Sequence, residues 1–331
     1  MYKYFKSIFA AVAVLCMAVL LTGCGASSNS KESQEQFLHM ATGNTSGTYY
    51  PVGGAISELL NKDIKNMHSS VQATSGSIAN INLLKDETVE FAIVQNDIAN
   101  YALNGTEMFK DENKYKFETL RGLATLYPES CQCVTFQSSG IKSIADLKGK
   151  KVCVGAEGSG VEANARQILA AYGLTYDDIE PHYLSFSAGA KALKEKAIDA
   201  AFLTAGAPTA AVQDVATQEP IRLLGIDDEH FKALSEKYPF YKRITIPKGT
   251  YTNLDEDVQT VSVMALLVCN SRINDDLGYQ ITKTIYTHLD ELKAAHPAFA
   301  GLSEKQAVEG MTIEINGGAK KFFDEYENPV K

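Results

Sequence analysis

From residue 37 onward the chain alternates short apolar runs with stretches in which apolar residues recur every three or four positions. FLHMA (37–41), VQAT (71–74) and FAIV (91–94) read as strands. Helical spacing covers residues 51–61, about 77–85 and about 97–103. A βαβαβα order of this kind predicts a parallel sheet with helices on both faces. LRGLATLY (120–127) and CQCVTF (131–136) follow as two further strands, beyond a charged surface excursion at 104–118. A second series repeats the alternation, with strands at 151–154, 182–186, 200–203 and 221–226. Its helices fall at about 159–171, 189–196, 208–216 and 229–238. Residues 258–269 form a long β-branched run able to cross back to the first half, and 275–292, 303–310 and 319–326 read as helices closing it. The expected fold class is α/β with two lobes.

Where the apolar runs end, the polar positions follow a pattern of their own. Small-residue loops stand ahead of helices at Gly43, Ser77 and Gln95, 34 and 18 residues apart, and again at Gly155, Ser187 and Thr204, 32 and 17 apart. They read GNTSGT, SGSIAN, QND, GAEGSG, SFSAGA and TAGAP. Each follows the C-terminal end of a predicted parallel strand, where open α/β sheets bind ligands. In ATGNTSGTYYPVGGAI (41–56), Gly43 and Gly47 allow a sharp turn, and Thr42, Asn44, Thr45, Ser46 and Thr48 supply short donors and caps. Pro51 suits a first helical turn. Free N–H groups and the helix dipole make such a loop an anion site; taken alone, the same pattern also describes a capped turn. Two lobes that each aim three helix N-termini into one crevice describe a hinged binding protein.

None of the six loops carries Lys or Arg, so an anion would be held by N–H groups, Ser and Thr hydroxyls and side-chain amides. Tyr49, Tyr50, Tyr127 and Tyr251 offer rings to cover a ligand's carbon skeleton, or else pack half-buried. Glu129, in LYPES (126–130), sits where the first lobe hands over to the second. It is placed either to pair with a ligand ammonium or to cap a hinge.

The N-terminus changes the setting. Lys3 and Lys6 precede a 14-residue apolar run at 8–21, short for a membrane span and suited to a secretion signal. LTGC (21–24) is similar to a bacterial lipobox, which implies cleavage before Cys24, lipid on its thiol and acylation of the new N-terminus. More than one acyl chain gives stable anchoring. GASSNSKESQEQ (25–36) then reads as a polar tether. Without Lys3 and Lys6 the remainder has 29 bases against 40 acids, a formal −11, which argues against nucleic-acid binding. Composition is otherwise ordinary for a globular protein, at 45% hydrophobic and 21% charged, and 331 residues suffice for two lobes.

Motifs for chemistry are few. Cys131, Cys133, Cys153 and Cys269 lack metal spacing and read as small buried residues, with a Cys131–Cys153 disulfide as an alternative. GSGVEA (158–163) fits a dinucleotide fingerprint with acids at Asp177, Asp178 and Glu180, but Glu157 beside the turn would repel a pyrophosphate. There is no nucleophile elbow, P-loop or zinc-protease motif, and the six histidines are scattered. No catalysis, cofactor or metal is expected.

Six segments taken together carry a resemblance. ATGNTSGTYYPVGGAI, SGSIANINLL, FAIVQNDIANYA, LYPES, SGIKSIADLKGKKVCVGAEGSGVEANARQIL and AAFLTAGAPTAAV, spanning 37–212, resemble the TAXI-type solute receptors of tripartite (TRAP) transporters. The resemblance implies a two-lobed periplasmic-binding-protein-like fold of type II, closing on a small organic anion such as glutamate, glutamine or a dicarboxylate like 2-oxoglutarate. It implies delivery to TRAP permease subunits driven by an ion gradient, by a monomer outside the cytoplasm. Carried over residue by residue, the ligand contacts would come from Thr45, Ser46, Thr48, Tyr49, Ser77, Gln95, Gly158, Ser159 and Thr204. Family loops often read GAPGSG where this chain has Glu157 in place of the proline. The lobes are expected at 37–126 plus 262–331 and at 127–261, with hinges at about Tyr127 and near 258–262. A binding protein of an ATP-driven importer and an exported hydrolase are the alternatives.

Overall fold

The computed structural model describes residues 35–110 and 116–327. The signal-like segment, Cys24, the tether as far as residue 34 and part of the 104–118 excursion lie outside them. Among the described residues no helix is long and apolar enough to cross a membrane.

The first lobe starts as the apolar runs require. Strands β1 (Gln36–Ala41), β2 (Met67–Gln72) and β3 (Phe91–Gln95) lie parallel, with β1 between the other two. Helices α1 (Tyr49–Asp63), α2 (Ser77–Lys85) and α3 (Asn96–Asn104) follow them in turn. On α1, Val52, Ile56, Leu59 and Leu60 fall on one face and are buried. Gly53 brings that helix onto β1, where an added Cβ would lie 2.6 Å from Thr42 Cγ2. Helix α3 stops at Gly105, a left-handed cap with φ of 63°.

Two long strands join the lobes. β4 (Arg121–Phe136) and β10 (Val258–Cys269) run antiparallel through the centre of one sheet. The second lobe continues with β5 (Lys151–Cys153), α4 (Gly160–Ala171), β6 (Glu180–His182), α5 (Phe186–Lys194), β7 (Ala200–Ala205) and α6 (Ala210–Ala216). β8 (Ile221–Leu223), α7 (Asp228–Lys237) and β9 (Lys242–Ile246) complete it. The strand order is β2-β1-β3-β10-β4-β7-β5-β6, with β8 on β4 and β9 on β10. Each lobe therefore has a parallel set, β2-β1-β3 or β7-β5-β6, attached to the antiparallel pair. Helices α8 (Asp275–Thr287), α9 (Leu289–Ala295) and α10 (Gly317–Glu327) return to the first lobe.

Several expectations are corrected. β4 is one 16-residue strand where two were expected. Its ladder accommodates Pro128 because the opposing Met264 turns its N–H to Asn96 Oδ1, 3.1 Å away. β2 lies at 67–72 instead of 71–74, and β6 ends at His182 because the Ser185 hydroxyl caps α5, drawing Phe186 into the helix. β9 was not expected. The span 275–292 breaks at His288, and 303–310 holds only a short 3-10 turn at Glu304–Gln306.

Alternate positions on the strands feed different cores. Ala92 and Val94 of β3 join a cluster with Ile168 and Leu169 of α4, which spans both lobes on one face of the sheet. Phe91 and Ile93 point into a first-lobe cluster with Ile56 and Ile281. Ala201 and Leu203 of β7 point into a second-lobe cluster with Val212 and Ile246. This alternation decides the cysteines: Cys131 and Cys133 face the shared core and Cys153 the second-lobe one. Cys131, Cys133, Cys153 and Cys269 are buried free thiols, so the Cys131–Cys153 disulfide is not formed.

Candidate functional site

The six loops meet. After β1, the Thr42 hydroxyl donates to the Gln72 carbonyl at 2.7 Å, and Ser46 Oγ donates to Asn44 Oδ1 at 2.7 Å, shaping the turn into α1. After β2, Asn80 of α2 donates to the carbonyls of Thr42 and Ile93, at 2.6 and 2.8 Å, fastening that helix to its neighbours. After β5, Ser159 caps α4 by accepting from the Glu162 N–H at 3.2 Å while donating to the Ala156 carbonyl at 2.6 Å. These local bonds shape the mouths of α1, α2 and α4.

The mouths also bond across the two lobes. The Ala79 N–H donates to the Gly158 carbonyl at 3.0 Å, and Thr48 Oγ1 lies 3.4 Å from the Gly206 carbonyl it faces. At Gly160 an added Cβ would stand 1.8 Å from Gln95 Oε1, so only glycine permits this approach. The dinucleotide-like glycines thus serve lobe contact, and Glu157 is exposed beside them.

Between the mouths lies a small pocket, with about 40 Å³ open to the centres of water molecules. Its wall draws on all six loops, at 43, 44 and 47–49, at 75–77, at 95, at 156 and 159–161, at 185–186 and at 204–205, and on Glu129 of β4. Among the described residues no Lys, Arg or His lines it. Glu129 sits where β4 changes partners, opposite Val263, next to Ser130, which pairs with Ala205 of β7. It is 1% exposed, and the Tyr49 hydroxyl donates to its Oε2 at 2.8 Å. Ser77 Oγ lies 3.3 Å from that hydroxyl and accepts from the Gln95 N–H at 3.1 Å. Burial, reinforced by the charge of Asp97, pushes the Glu129 carboxyl well above the usual carboxylate range, and the Tyr49 bond offsets only part of this. Burial and then the Glu129 charge raise the Tyr49 hydroxyl in turn.

Beside the pocket a second buried network spans the lobes. Gln95 Nε2 donates to Asn164 Oδ1 at 2.9 Å, and Asn164 Nδ2 donates to Asp97 Oδ2 at 3.0 Å and to the Tyr241 hydroxyl at 2.8 Å. The Tyr241 hydroxyl donates to Gln167 Oε1 at 2.7 Å, and Gln167 Nε2 donates to the Tyr101 hydroxyl at 3.3 Å. Burial raises Asp97 to about 6 against the pull of its hydrogen bonds.

Of the residues expected at the site, Thr48, Tyr49, Ser77, Gln95, Ser159, Thr204 and Glu129 line the pocket. Five do not. Thr45 is exposed on the outside of its turn, and Ser46 is spent on Asn44. Gly158 meets the other lobe through its carbonyl. Tyr127 is buried in the first-lobe core, and Tyr251 in the second-lobe core, where its hydroxyl bonds Gln132 and accepts from the Thr209 N–H at 2.9 Å. Asn44, Ser75, Ser185 and Phe186 line the pocket without having been expected among the ligand contacts. All four lie within the quoted loops, and Phe186 has no polar signature to mark it. Among the described residues no group of three or more His, Cys, Asp or Glu is arranged to hold a metal ion.

Among solved structures the chain is similar to a protein of Bordetella bronchiseptica RB50, with a TM-score of 0.56 and 16% identity over 88% of this chain and 98% of that one. It also matches the periplasmic aliphatic sulphonate binding protein SsuA from Escherichia coli, with a TM-score of 0.48 and 15% identity over 90% and 86% of the two chains. For the alkanesulfonate-binding protein SsuA from Xanthomonas axonopodis pv. citri bound to MOPS, the values are 0.49 and 15% over 88% and 85%. The fold is the two-lobed, periplasmic-binding-protein-like α/β fold, a mixed sheet with flanking helices. The family model that matches covers residues 40–326, and the chain belongs to the NMT1-like family.

Proposed function

We propose that this protein is the extracytoplasmic solute-binding receptor of a TAXI-type TRAP transporter, held at the membrane by lipid on Cys24. It captures a small carboxylate, with glutamate, glutamine or a dicarboxylate such as 2-oxoglutarate as the class, and passes it to an ion-gradient-driven permease. It carries out no reaction on its ligand. The observation that carries this reading is the convergence of six loops, each after a parallel strand, on one pocket between two lobes. A carboxylate there meets the N-termini of α1, α2 and α4 together with the hydroxyls of Thr48, Ser77 and Thr204. Dipoles and hydroxyls hold an anion without a fixed cation, which suits capture followed by release. Bending of β4 near Tyr127 and of β10 near 258–262 lets the lobes part.

A thermal-shift screen of amino and dicarboxylic acids on the full-length protein tests it. At a hundredfold excess over Kd a ligand adds about 2.7 kcal/mol, or a rise of about 3–5 °C in melting temperature. No rise with any carboxylate would remove the ligand assignment. Neighbouring genes for a fused TRAP permease, as against an ATPase, decide the transporter class.

A further inference from the structure

We infer that Glu129 serves the closed pocket as a neutral acid, donating the O–H on its Oε1 to an oxygen of the ligand carboxylate. Each anion is then captured together with one proton, taken from solvent as the lobes close and returned as they open. This rests on the reading of the pocket as a carboxylate receptor.

Hydrogen-bond directions single out the atom. The Gln95 main-chain N–H can only donate, and Ser77 Oγ accepts it at 3.1 Å. Ser77 Oγ lies 3.3 Å from the Tyr49 hydroxyl, and that hydroxyl donates to Glu129 Oε2 at 2.8 Å. In a neutral acid Oε2 is then the carbonyl oxygen, and the proton sits on Oε1. Among the described residues no hydrogen bond reaches Oε1, and Glu129 lines the pocket. The Tyr49 proton is committed to Oε2, so the donor this part of the wall can offer a ligand is the acid's own O–H.

The surroundings favour the uncharged form. Glu129 is 1% exposed, and no Lys, Arg or His lines the pocket among the described residues. The ionisable groups around it are Tyr49 on α1, Tyr127 and Cys131 on β4 itself, and Asp97 on α3. β10 sets Val263 opposite it, and β7 adds Thr204 and Ala205 to the wall, none of them ionisable. Burial pushes both phenols and the thiol up, which keeps them neutral, so no positive charge meets the carboxyl from any side. A ligand carboxylate beside an ionised Glu129 would set two like charges in a small space, which drives a proton onto the pair. With that proton the pair becomes a charge-assisted hydrogen bond, about twice as strong as a neutral one. When the lobes part, water reaches the wall and the carboxyl returns toward its ordinary range; this difference between open and closed couples the proton to the ligand.

Calorimetry on the full-length protein with L-glutamate, 2-oxoglutarate and succinate, in buffers of differing ionisation enthalpy, counts the protons taken up. Between about pH 7 and about pH 8.5 the carboxyls of these ligands are ionised, and Asp97, held at about 6, is mostly charged. Whichever ligand binds should bring in about one proton, with affinity falling about tenfold for each unit of pH. Glu129→Gln keeps a carbonyl for Tyr49 and presents an N–H where the acid presents its O–H. It should lose the proton uptake, and at about pH 8.5 it should bind at least tenfold more tightly than wild type. Glu129→Leu, which lacks the donor, should bind at least tenfold more weakly than Glu129→Gln. Equal affinity of the two variants overturns the donor role. A wild type that takes up no proton and binds equally at every pH overturns the inference and leaves the carboxylate reading standing. A Glu129→Gln protein that still takes up the proton also overturns it. If Glu129→Gln fails to fold, Asp97→Asn decides: it should keep the wild-type uptake, and loss of uptake there overturns the assignment to Glu129. If none of the three ligands binds, the carboxylate reading falls and the inference falls with it.

Discussion

Asp97 stands at the first turn of α3, where its own and the following N–H groups favour the charged form, yet burial wins and holds it at about 6. In an unfolded chain the same carboxyl titrates near about 3.9. The folded state therefore binds the extra proton between those values, and the linkage has a definite sign. The Asp97 contribution is fully present below about pH 4 and is lost as pH rises through 6, by up to about 3 kcal/mol for a shift of about two units. Asp97→Asn cannot ionise, and its amide oxygen can still accept from Asn164. Its stability relative to wild type should rise between pH 4 and pH 7 by that amount, read from urea unfolding at four pH values. A difference that stays flat with pH would show that Asp97 ionises as freely in the fold as outside it. Glu129 shifts in the same direction in both proteins, and loss of the Asp97 charge eases its shift in the variant, which adds to the same rise. At this scale legibility is uneven. An acid between apolar stretches of a strand made Glu129 visible as a candidate. Thr45 and Ser46 share the composition of Thr48, and only the turn geometry separates the exposed positions from the lining one.

Among the elements, helix mouths were more legible than strand limits. A glycine-rich loop before helical spacing has few alternative conformations, so the six mouths emerge where the polar pattern puts them. Strands depend on partners distant in sequence, and that is where the expectation slipped. Pro128 reads as a break until Met264 is known to face it. KRITI (242–246) gives a weak signal alone and becomes β9 only against β10. The glycines test which contact each element serves. Gly53 packs α1 within its own lobe, whereas Gly160 packs α4 against Gln95 of the other lobe. Gly160→Ala should therefore leave urea stability within about 1 kcal/mol of wild type, since alanine suits a helix better than glycine. It should also weaken ligand binding at least tenfold by keeping the lobes apart, because Gln95 is tied to Asn164 and cannot swing clear. Unchanged affinity on calorimetry would mean that the pocket tolerates the wider gap. Gly53→Ala should do the reverse and lower stability first.

The two-lobed plan was legible because the loop spacing of the first half recurs in the second. What lay beyond reach was the network that fastens the lobes, whose members come from separate stretches of chain and carry no motif. Gln95, Asp97 and Tyr101 stand on one side and Asn164 and Gln167 on the other, so three hydrogen bonds cross between lobes. Asn164 takes part in two of them and also holds Tyr241. In an open molecule the groups that cross between the lobes are met by water, so the crossing bonds weight closing against opening. Ligand affinity scales with the fraction of molecules able to close. Each crossing bond is worth about 0.5–1.5 kcal/mol net, more where a charged partner is left buried. Asn164→Ala, which removes two of them, should weaken ligand binding about tenfold to a hundredfold. The loss should fall on dissociation, which quickens, with association nearly unchanged. Stopped-flow fluorescence resolves the two rates, and small-angle scattering at saturating ligand should return the wild-type dimensions, since enough ligand still closes the variant. If both rates stay at their wild-type values, the crossing bonds do not set the closing equilibrium, and lobe contact at Gly160 and Gly206 must hold the closed form unaided.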